Sequence, residues 1–307
     1  MLKSKAFPAA IVIPALLFLA GCSEIPVGTK NTILMDTFVS VEIKDSLDKN
    51  LKNQILNKTI SRMRSLTKGF NYFGDESELA RINSLKPGEE LLLSDEMFAV
   101  LKTSRDIFAK TGGAFDVAMG KGDWKLDEKK HAIVIEESGV KINLGGIAKG
   151  FIVDEGIKVL KDALVRNAII NAGGDMYCMG QGTDAKGWKI GIRDPVNTKK
   201  VIASFNVRDR GVATSGGYER FTKSENGKYS HIIDPKTGEP IKIITRSVTV
   251  VADDCATADA LATALYVLGP KKGLALIEIL KKTECVIIDT DGKFYVSSGL
   301  TDLISTE

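Results

Sequence analysis

The spacing of apolar residues along this chain changes period several times, and each change marks an element. An unbroken apolar run from Ala9 to Leu19 follows Lys3 and Lys5. Its length suits the hydrophobic stretch of an export signal and is short for a bilayer span. From Asn31 to Lys44 the pattern is strand-like, with Ile33, Phe38, Val39, Val41 and Ile43 as apolar positions. Leu51, Ile55, Leu56, Ile60 and Met63 recur at helical spacing and predict a helix over 47–66. Ser77-Glu78-Leu79 reads as a helix start, with Leu79 and Ile82 facing inward. Ser94 and Met97 fit the cap and first turn of another long helix, which stops at Gly112-Gly113.

Further on, 132–143 reads as a strand, and Gly145-Gly146 opens a helix with Ile147, Phe151, Ile157 and Leu160 on one face. A short strand over 167–171 ends in Ala172-Gly173-Gly174-Asp175. Strands are also expected over 188–192, 202–207, 247–252, 286–289 and 293–297, and helices over 257–268 and 271–282. Strands do not alternate regularly with crossover helices, so the pattern predicts an α+β fold rather than a doubly wound sheet. No Pro/Gly/Ser linker splits the chain. The expected organisation is a signal peptide over 1–21, a tether over 22–30 and one folded unit over 31–307.

Composition adds limits. About 285 residues beyond the leader are ample for one large core or two lobes. The net charge of +3 is spread along the chain, with no basic stripe interleaved with aromatics, which argues against nucleic acid as a partner. Leu19-Ala20-Gly21-Cys22 closes the apolar run in the residue order of a bacterial lipobox; a secretory signal with a chance cysteine is the other reading. On the lipoprotein reading Cys22 is the lipidated mature N-terminus. Several acyl chains of the palmitate kind then hold the protein stably on the extracytoplasmic face of the cell membrane. Cys178, Cys255 and Cys285 are an odd number with no CxxC pair, so buried free thiols are expected rather than a disulfide framework or a structural zinc.

Several constellations can carry chemistry. In Asn143-Leu144-Gly145-Gly146-Ile147-Ala148-Lys149-Gly150 the glycine pair leaves backbone N–H groups free for an anion. Lys149 opposes the helix dipole in the first turn unless such an anion offsets it; a tight turn with a solvated lysine is the alternative. The segment lacks the GxGxxG spacing and predicts no Rossmann site. Gly113-Ala114-Phe115-Asp116-Val117 either stacks on a flat heterocycle and binds its edge, or is a structural turn. Asp259 and Thr263 lie four apart on one helical face, a pair of hard oxygen donors suited to Mg²⁺ or Ca²⁺. Alternatively, Asp259 serves the helix dipole and Thr263 bonds back into its helix. Thr214-Ser215-Gly216 reads as a phosphate-sized turn. His231, one of two histidines, precedes a turn at Asp234-Pro235 and Thr237-Gly238. Its imidazole can take a proton from an attacking hydroxyl or serve as a half-buried structural group. His131, in a Lys-rich segment, is expected at the surface. Together these pieces point to phosphoryl chemistry with a hard metal ion.

In their order they resemble the FAD:protein FMN transferases, the ApbE-type flavin transferase lipoproteins. The resemblance is carried by Met35-Asp36-Thr37, Ser77 to Asn83, Gly113 to Val117, Gly145 to Gly150, Asn171 to Asp175, Ala213 to Gly216, His231 to Pro235 with Thr237-Gly238, Ser247 to Val250, and Asp259 to Thr263. It covers nearly the whole mature chain. Asp36, Asn143 and Phe73 depart from the residues common in the family, and the segment from Ala118 to Lys130 is short. The resemblance implies a single T-fold-like α+β catalytic domain with mixed or antiparallel sheets and flanking helices. It implies FAD as substrate, cleaved at the pyrophosphate, with FMN passed to a Ser or Thr of an exported acceptor flavoprotein and AMP released. By motif, Met35, Phe73, Ala114, Phe115, Asp116, Asn143, Lys149 and Ile233 are expected to contact FAD. Thr214 and Ser215 are expected to bind it as well. Asp259, Thr263 and the Gly146 carbonyl are expected to hold Mg²⁺, and His231 to act as base. Alternatives are a metal-dependent FAD pyrophosphatase, a flavin-binding lipoprotein without catalysis, and a lipid-anchored solute-binding protein.

The lipobox generates a test. Cys22→Ser is expected to move the protein from membranes to the soluble exported fraction with catalysis intact, while mass spectrometry finds diacylglycerol on Cys22 of the wild type. An unlipidated wild-type Cys22 overturns the lipoprotein reading.

Overall fold

The computed structural model describes residues 28–183, 185–216, 221–224, 227–242, 244–301 and 304–306, with backbone alone over 221–232 and at 240, 242 and 306. The expected signal peptide, Cys22 and the expected tether up to residue 27 lie outside the described residues. Strand β1 (Thr29–Leu34) pairs with β2 (Thr37–Ile43), so Thr29 and Lys30, assigned by sequence to the tether, are part of the sheet. The single strand predicted over 31–44 is this hairpin. Its turn is Met35-Asp36, at φ 54° and 55°, the left-handed pair that a two-residue hairpin turn requires.

The predicted helices form where their caps are strong. Asp48 caps α1 (Lys49–Gly69) by accepting the Asn50 and Leu51 N–H groups. Ser77 caps α2 (Glu78–Ser84), and Ser94 caps α3 (Asp95–Lys110). Strands β3 (Glu90–Leu92), β4 (Trp124–Asp127) and β5 (Ala132–Ile135) make a small sheet with β5 in the middle. The strand predicted over 132–143 is therefore only its first third. Val140 and Ile142 are buried from a loop, which continues the inward alternation without strand pairing.

Next come α4 (Ala148–Asp162), β6 (Ala168–Ala172), β7 (Asp175–Met179), β8 (Trp188–Arg193), β9 (Val201–Val207) and β10 (Arg210–Gly216). The hairpin strands β11 (Phe221–Ser224), β12 (Gly227–Ile233) and β13 (Pro240–Lys242) follow, then β14 (Thr245–Ala252), α5 (Cys255–Leu268) and α6 (Pro270–Ile279). The chain closes with β15 (Glu284–Asp289), β16 (Phe294–Val296) and β17 (Ser305–Thr306). The main sheet runs β1-β2-β6-β7-β10-β14-β15-β16, and every described pairing in it is antiparallel. Strand alternation gives it two apolar faces. Val39, Val41, Ile170, Ala213, Val248 and Val250 face the helices. Cys178, Val212, Val251 and Val286 face the small sheet β17-β9-β8, with Trp188 and Phe205. This is the predicted α+β class. Cys178, Cys255 and Cys285 are buried free thiols, as expected. No helix among the described residues is long and apolar enough to cross a membrane.

Helices α4 and α5 lie against the sheet in close mutual contact. A Cβ on Gly150 would fall 2.3 Å from the Cys255 carbonyl oxygen, so only glycine permits this approach. The two helices exchange carboxylates. Asp154 of α4 accepts the N–H groups of Cys255 at 2.9 Å and Ala256 at 2.8 Å, the open N-terminus of α5. Asp259 of α5 accepts the Gly150 N–H at 3.1 Å in the first turn of α4.

Burial pushes the Asp154 carboxyl up to about 7; the Asp254 charge adds to the rise, while the two N–H bonds oppose it. A carboxyl whose pKa is higher folded than unfolded binds its proton preferentially in the native state. Its contribution to stability is then largest in acid and declines as pH rises from the unfolded value of about 4 to about 7. Thermal denaturation across that window is expected to show this decline in the wild type and a flatter profile in Asp154→Asn. Equal profiles would place the Asp154 pKa in the ordinary range.

Candidate active site

The site assembles where β7, β10, α4 and α5 meet. Between β6 and β7 the chain turns through Gly173 and Gly174, at φ 64° and 103°. A Cβ on Gly173 would lie 2.3 Å from the Thr37 hydroxyl, so the first hairpin packs directly on this turn. The turn delivers Asp175, only 1% exposed, onto the helix-facing side of the sheet. Asp175 Oδ2 accepts a bond from Lys149 Nζ, and Oδ1 accepts the Thr214 N–H at 3.3 Å. Lys149, in the first turn of α4, also lies 3.6 Å from Asp259 Oδ1. Asp259 is 3% exposed, and its other oxygen holds the Gly150 N–H. One turn along α5, Thr263 Oγ1 is 3.5 Å from Ser215 Oγ. A Cβ on Gly146 would lie 3.0 Å from Thr263 Oγ1 and 3.2 Å from the Phe115 ring, so this glycine is wedged beside both.

Gly146, Lys149, Ser215, Asp259 and Thr263, singled out in the sequence, therefore share one place, and Phe115 borders it while remaining 4% exposed. The structure corrects one expectation, and it places the remaining residues as follows. Thr214-Ser215-Gly216 is the end of β10, paired with Thr249, Val248 and Ser247, and not a turn. Strand alternation sends successive side chains to opposite faces. Ser215 consequently reaches Thr263, while Thr214 Oγ1 bonds Thr249 Oγ1 at 3.0 Å, and it is the Thr214 backbone that serves the site through Asp175. Asp116 spends both oxygens on its own loop, accepting the Ala118 N–H at 2.9 Å and the Gly120 N–H at 2.8 Å. Ala114 is core, 2% exposed. Asn143 Oδ1 accepts the Gly145 N–H at 2.8 Å and so shapes the glycine turn.

Met35 is half-buried at the hairpin tip, and Phe73 stands 89% exposed in the loop after α1, in an edge contact with Tyr72. Ile233 is half-buried at the end of β12. His231 lies on β12; its side chain is outside the described residues. The turn predicted after it forms, with the Thr237 and Gly238 N–H groups donating to the Asp234 carbonyl at 3.2 and 2.8 Å. His131 is partly exposed and stacks on Phe98, ring centroids 3.9 Å apart.

Among the described residues no three His, Cys, Asp or Glu side chains gather as a metal cluster. A cation here would instead rest on a mixed oxygen set. Asp259 Oδ1, which takes no hydrogen bond from the backbone, the Thr263 hydroxyl and the carbonyl of Gly146, the glycine packed against Thr263, would provide one. These are hard donors of the kind that suit Mg²⁺, and the residues fit that ion.

The ApbE family model matches residues 35–132 and 120–287. The chain belongs to the ApbE family. It is 30% identical over 273 residues to an FAD:protein FMN transferase of Treponema pallidum, covering 75% of each protein. A Vibrio cholerae protein of the same name is 30% identical over 262 residues, 75% of this chain and 78% of that one. Among solved structures, the ApbE protein of Thermotoga maritima superposes with a TM-score of 0.80 at 26% identity, covering 90% of this chain and 98% of that one. The flavin transferase ApbE from Vibrio cholerae gives 0.74 at 27% identity with the same coverage. The ApbE fold is thus the architecture expected from the motifs.

Sequence reasoning missed Asp175 as a site residue. It lay in a recognised Gly-Gly-Asp motif, but its role depends on β7 lying beside β10 and under α4, which no local spacing reveals. A carboxylate straight after a glycine pair that ends a buried strand was the available signal.

Proposed function

We propose that this ApbE-family protein is a Mg²⁺-dependent FAD:protein FMN transferase acting on an exported acceptor flavoprotein while held at the membrane through Cys22. The observation that carries the reading is the meeting of Lys149 and the Asp259–Thr263 pair at the start of α4, in a family whose named relatives are FAD:protein FMN transferases. The α4 N-terminus offers a favourable dipole to an anion, and Lys149 adds a full positive charge beside it. A pyrophosphate placed there would be oriented by Lys149 and approached closely at Gly145-Gly146, where no side chain intervenes.

In the transfer, the acceptor Ser or Thr oxygen bonds to the FMN phosphorus. The bond from that phosphorus to the bridging oxygen breaks, and AMP departs with the electron pair. His231, on the hairpin strand beside α5, would take the hydroxyl proton. Mg²⁺ on Asp259, Thr263 and the Gly146 carbonyl would supply charge neutralisation at the phosphates.

Two substitutions test this with in-gel flavin fluorescence of the acceptor and AMP release as readouts. Asp259→Ala is expected to abolish Mg²⁺-dependent turnover while weakening FAD binding less, since a bridging cation stabilises the transition state by several kcal/mol. Near-normal turnover would refute the metal assignment. His231→Ala is expected to leave FAD bound and slow transfer by about 10². Lost FAD affinity with an unchanged rate in the bound state would make His231 structural.

A further inference from the structure

Asp175 and Lys149 have a relation to Asp259 that the transfer scheme does not use. Asp259 has two oxygens. One is taken by the Gly150 N–H, and the other faces Lys149 Nζ at 3.6 Å. The oxygen left for a cation is therefore the one already faced by an ammonium. Lys149 is not free to swing away, because Asp175, 1% exposed, binds it directly. Asp175 is fixed in turn by the Thr214 N–H and by its position straight after the Gly173-Gly174 turn. Two buried carboxylates and one ammonium leave the cluster with a single net negative charge. Adding a divalent ion would make it net positive, next to the positive end of a helix. An anion of two or more charges at that helix end removes the conflict, since it supplies Lys149 with a new partner and offsets the excess charge.

We propose that Asp175 is a positioning residue that holds Lys149 against Asp259 as an internal counter-cation, so that a divalent ion binds this site well only together with a pyrophosphate ligand. The inference rests on the assignment of Asp259 as a metal ligand. Lys149 keeps the carboxylate neutralised in the free protein, which disfavours a metal bound without substrate. Substrate and metal then strengthen each other's binding by the same factor, as linkage requires.

Mn²⁺ titration of the full-length protein, followed by electron paramagnetic resonance, tests it with and without ADP as a flavin-free pyrophosphate. The wild type is expected to bind Mn²⁺ weakly alone and about tenfold or more tightly with ADP. Lys149→Gln is expected to bind Mn²⁺ alone about tenfold more tightly than the wild type and to lose most of the ADP effect, since a unit charge a few ångströms away is removed. Asp175→Asn keeps an acceptor for the Thr214 N–H but removes one of the two carboxylate charges that balance Lys149, so the site becomes less negative and Mn²⁺ binding is expected to weaken. Lys161→Gln, at an exposed position on the same helix, controls for general charge and is expected to change little.

Opposite signs for Lys149→Gln and Asp175→Asn support the proposal, because disturbed folding would weaken both. Lys149→Gln binding no tighter than the wild type, or both variants weakening, overturns it. Asp259→Ala separates the two levels. If it leaves Mn²⁺ affinity unchanged, the metal assignment itself fails; if it abolishes binding while Lys149→Gln has no effect, only the counter-cation role fails.

Discussion

Two helices held at backbone distance by reciprocal carboxylates set the geometry on which everything else in this protein depends. Asp154 reaches from α4 to the open N–H groups of α5, and Asp259 reaches back from α5 to the first turn of α4. Gly150 makes this possible by presenting no side chain to the Cys255 carbonyl. A one-sided contact would allow the helices to slide. Two carboxylates working in opposite directions fix both the separation and the register. The side chain that locks α4 is also the one proposed to hold the metal, so the helix crossing and the reaction centre are built from the same atom group.

The sheet beneath makes use of that crossing through side-chain alternation. In β10 consecutive residues divide their labour: Ser215 faces α5 and meets Thr263, while Thr214 bonds Thr249 on the opposite face and lends only its N–H to Asp175. The buried Asp175 then ties Lys149 into the centre. A buried carboxylate needs a partner of opposite charge or several donors, and Asp175 has the charged partner Lys149 with the Thr214 N–H beside it. The result is a row of charges held by backbone groups of two separate elements, β10 and α4, an arrangement suited to a reaction that depends on positioning and charge more than on covalent chemistry.

Much of this was legible in the sequence, and the reason is locality. The caps Ser77 and Ser94 and the glycines after α3 signal helix ends through contacts within a few residues. The Asp259–Thr263 pair was readable because one helical turn fixes the spacing whatever surrounds it. Motif resemblance located the glycine turn, Lys149 and Ser215. What stayed hidden depends on partners distant in the chain. Strands β3, β4, β7, β11 and β13 are short, and strand formation in them follows from pairing rather than from period. The Met35-Asp36 turn carries no glycine and was read through as strand. The two loop N–H groups that Asp116 accepts also depend on how the segment after it folds, which its residue type does not reveal.

The Thr37 hydroxyl filling the space above Gly173 has a consequence for how the molecule comes into being. The hairpin that carries Thr37 is made well before its sheet partner β6, which is distant in the chain, with Val39 opposite Ala172. The helix that completes the centre comes later still, at Asp259 and Thr263. Loops of that length must close before any of these contacts repays its ordering entropy, which makes such a topology slow to assemble. A ribosome-bound chain therefore has no reaction centre until most of it has emerged, and the enzyme cannot begin to act on flavin as a fragment.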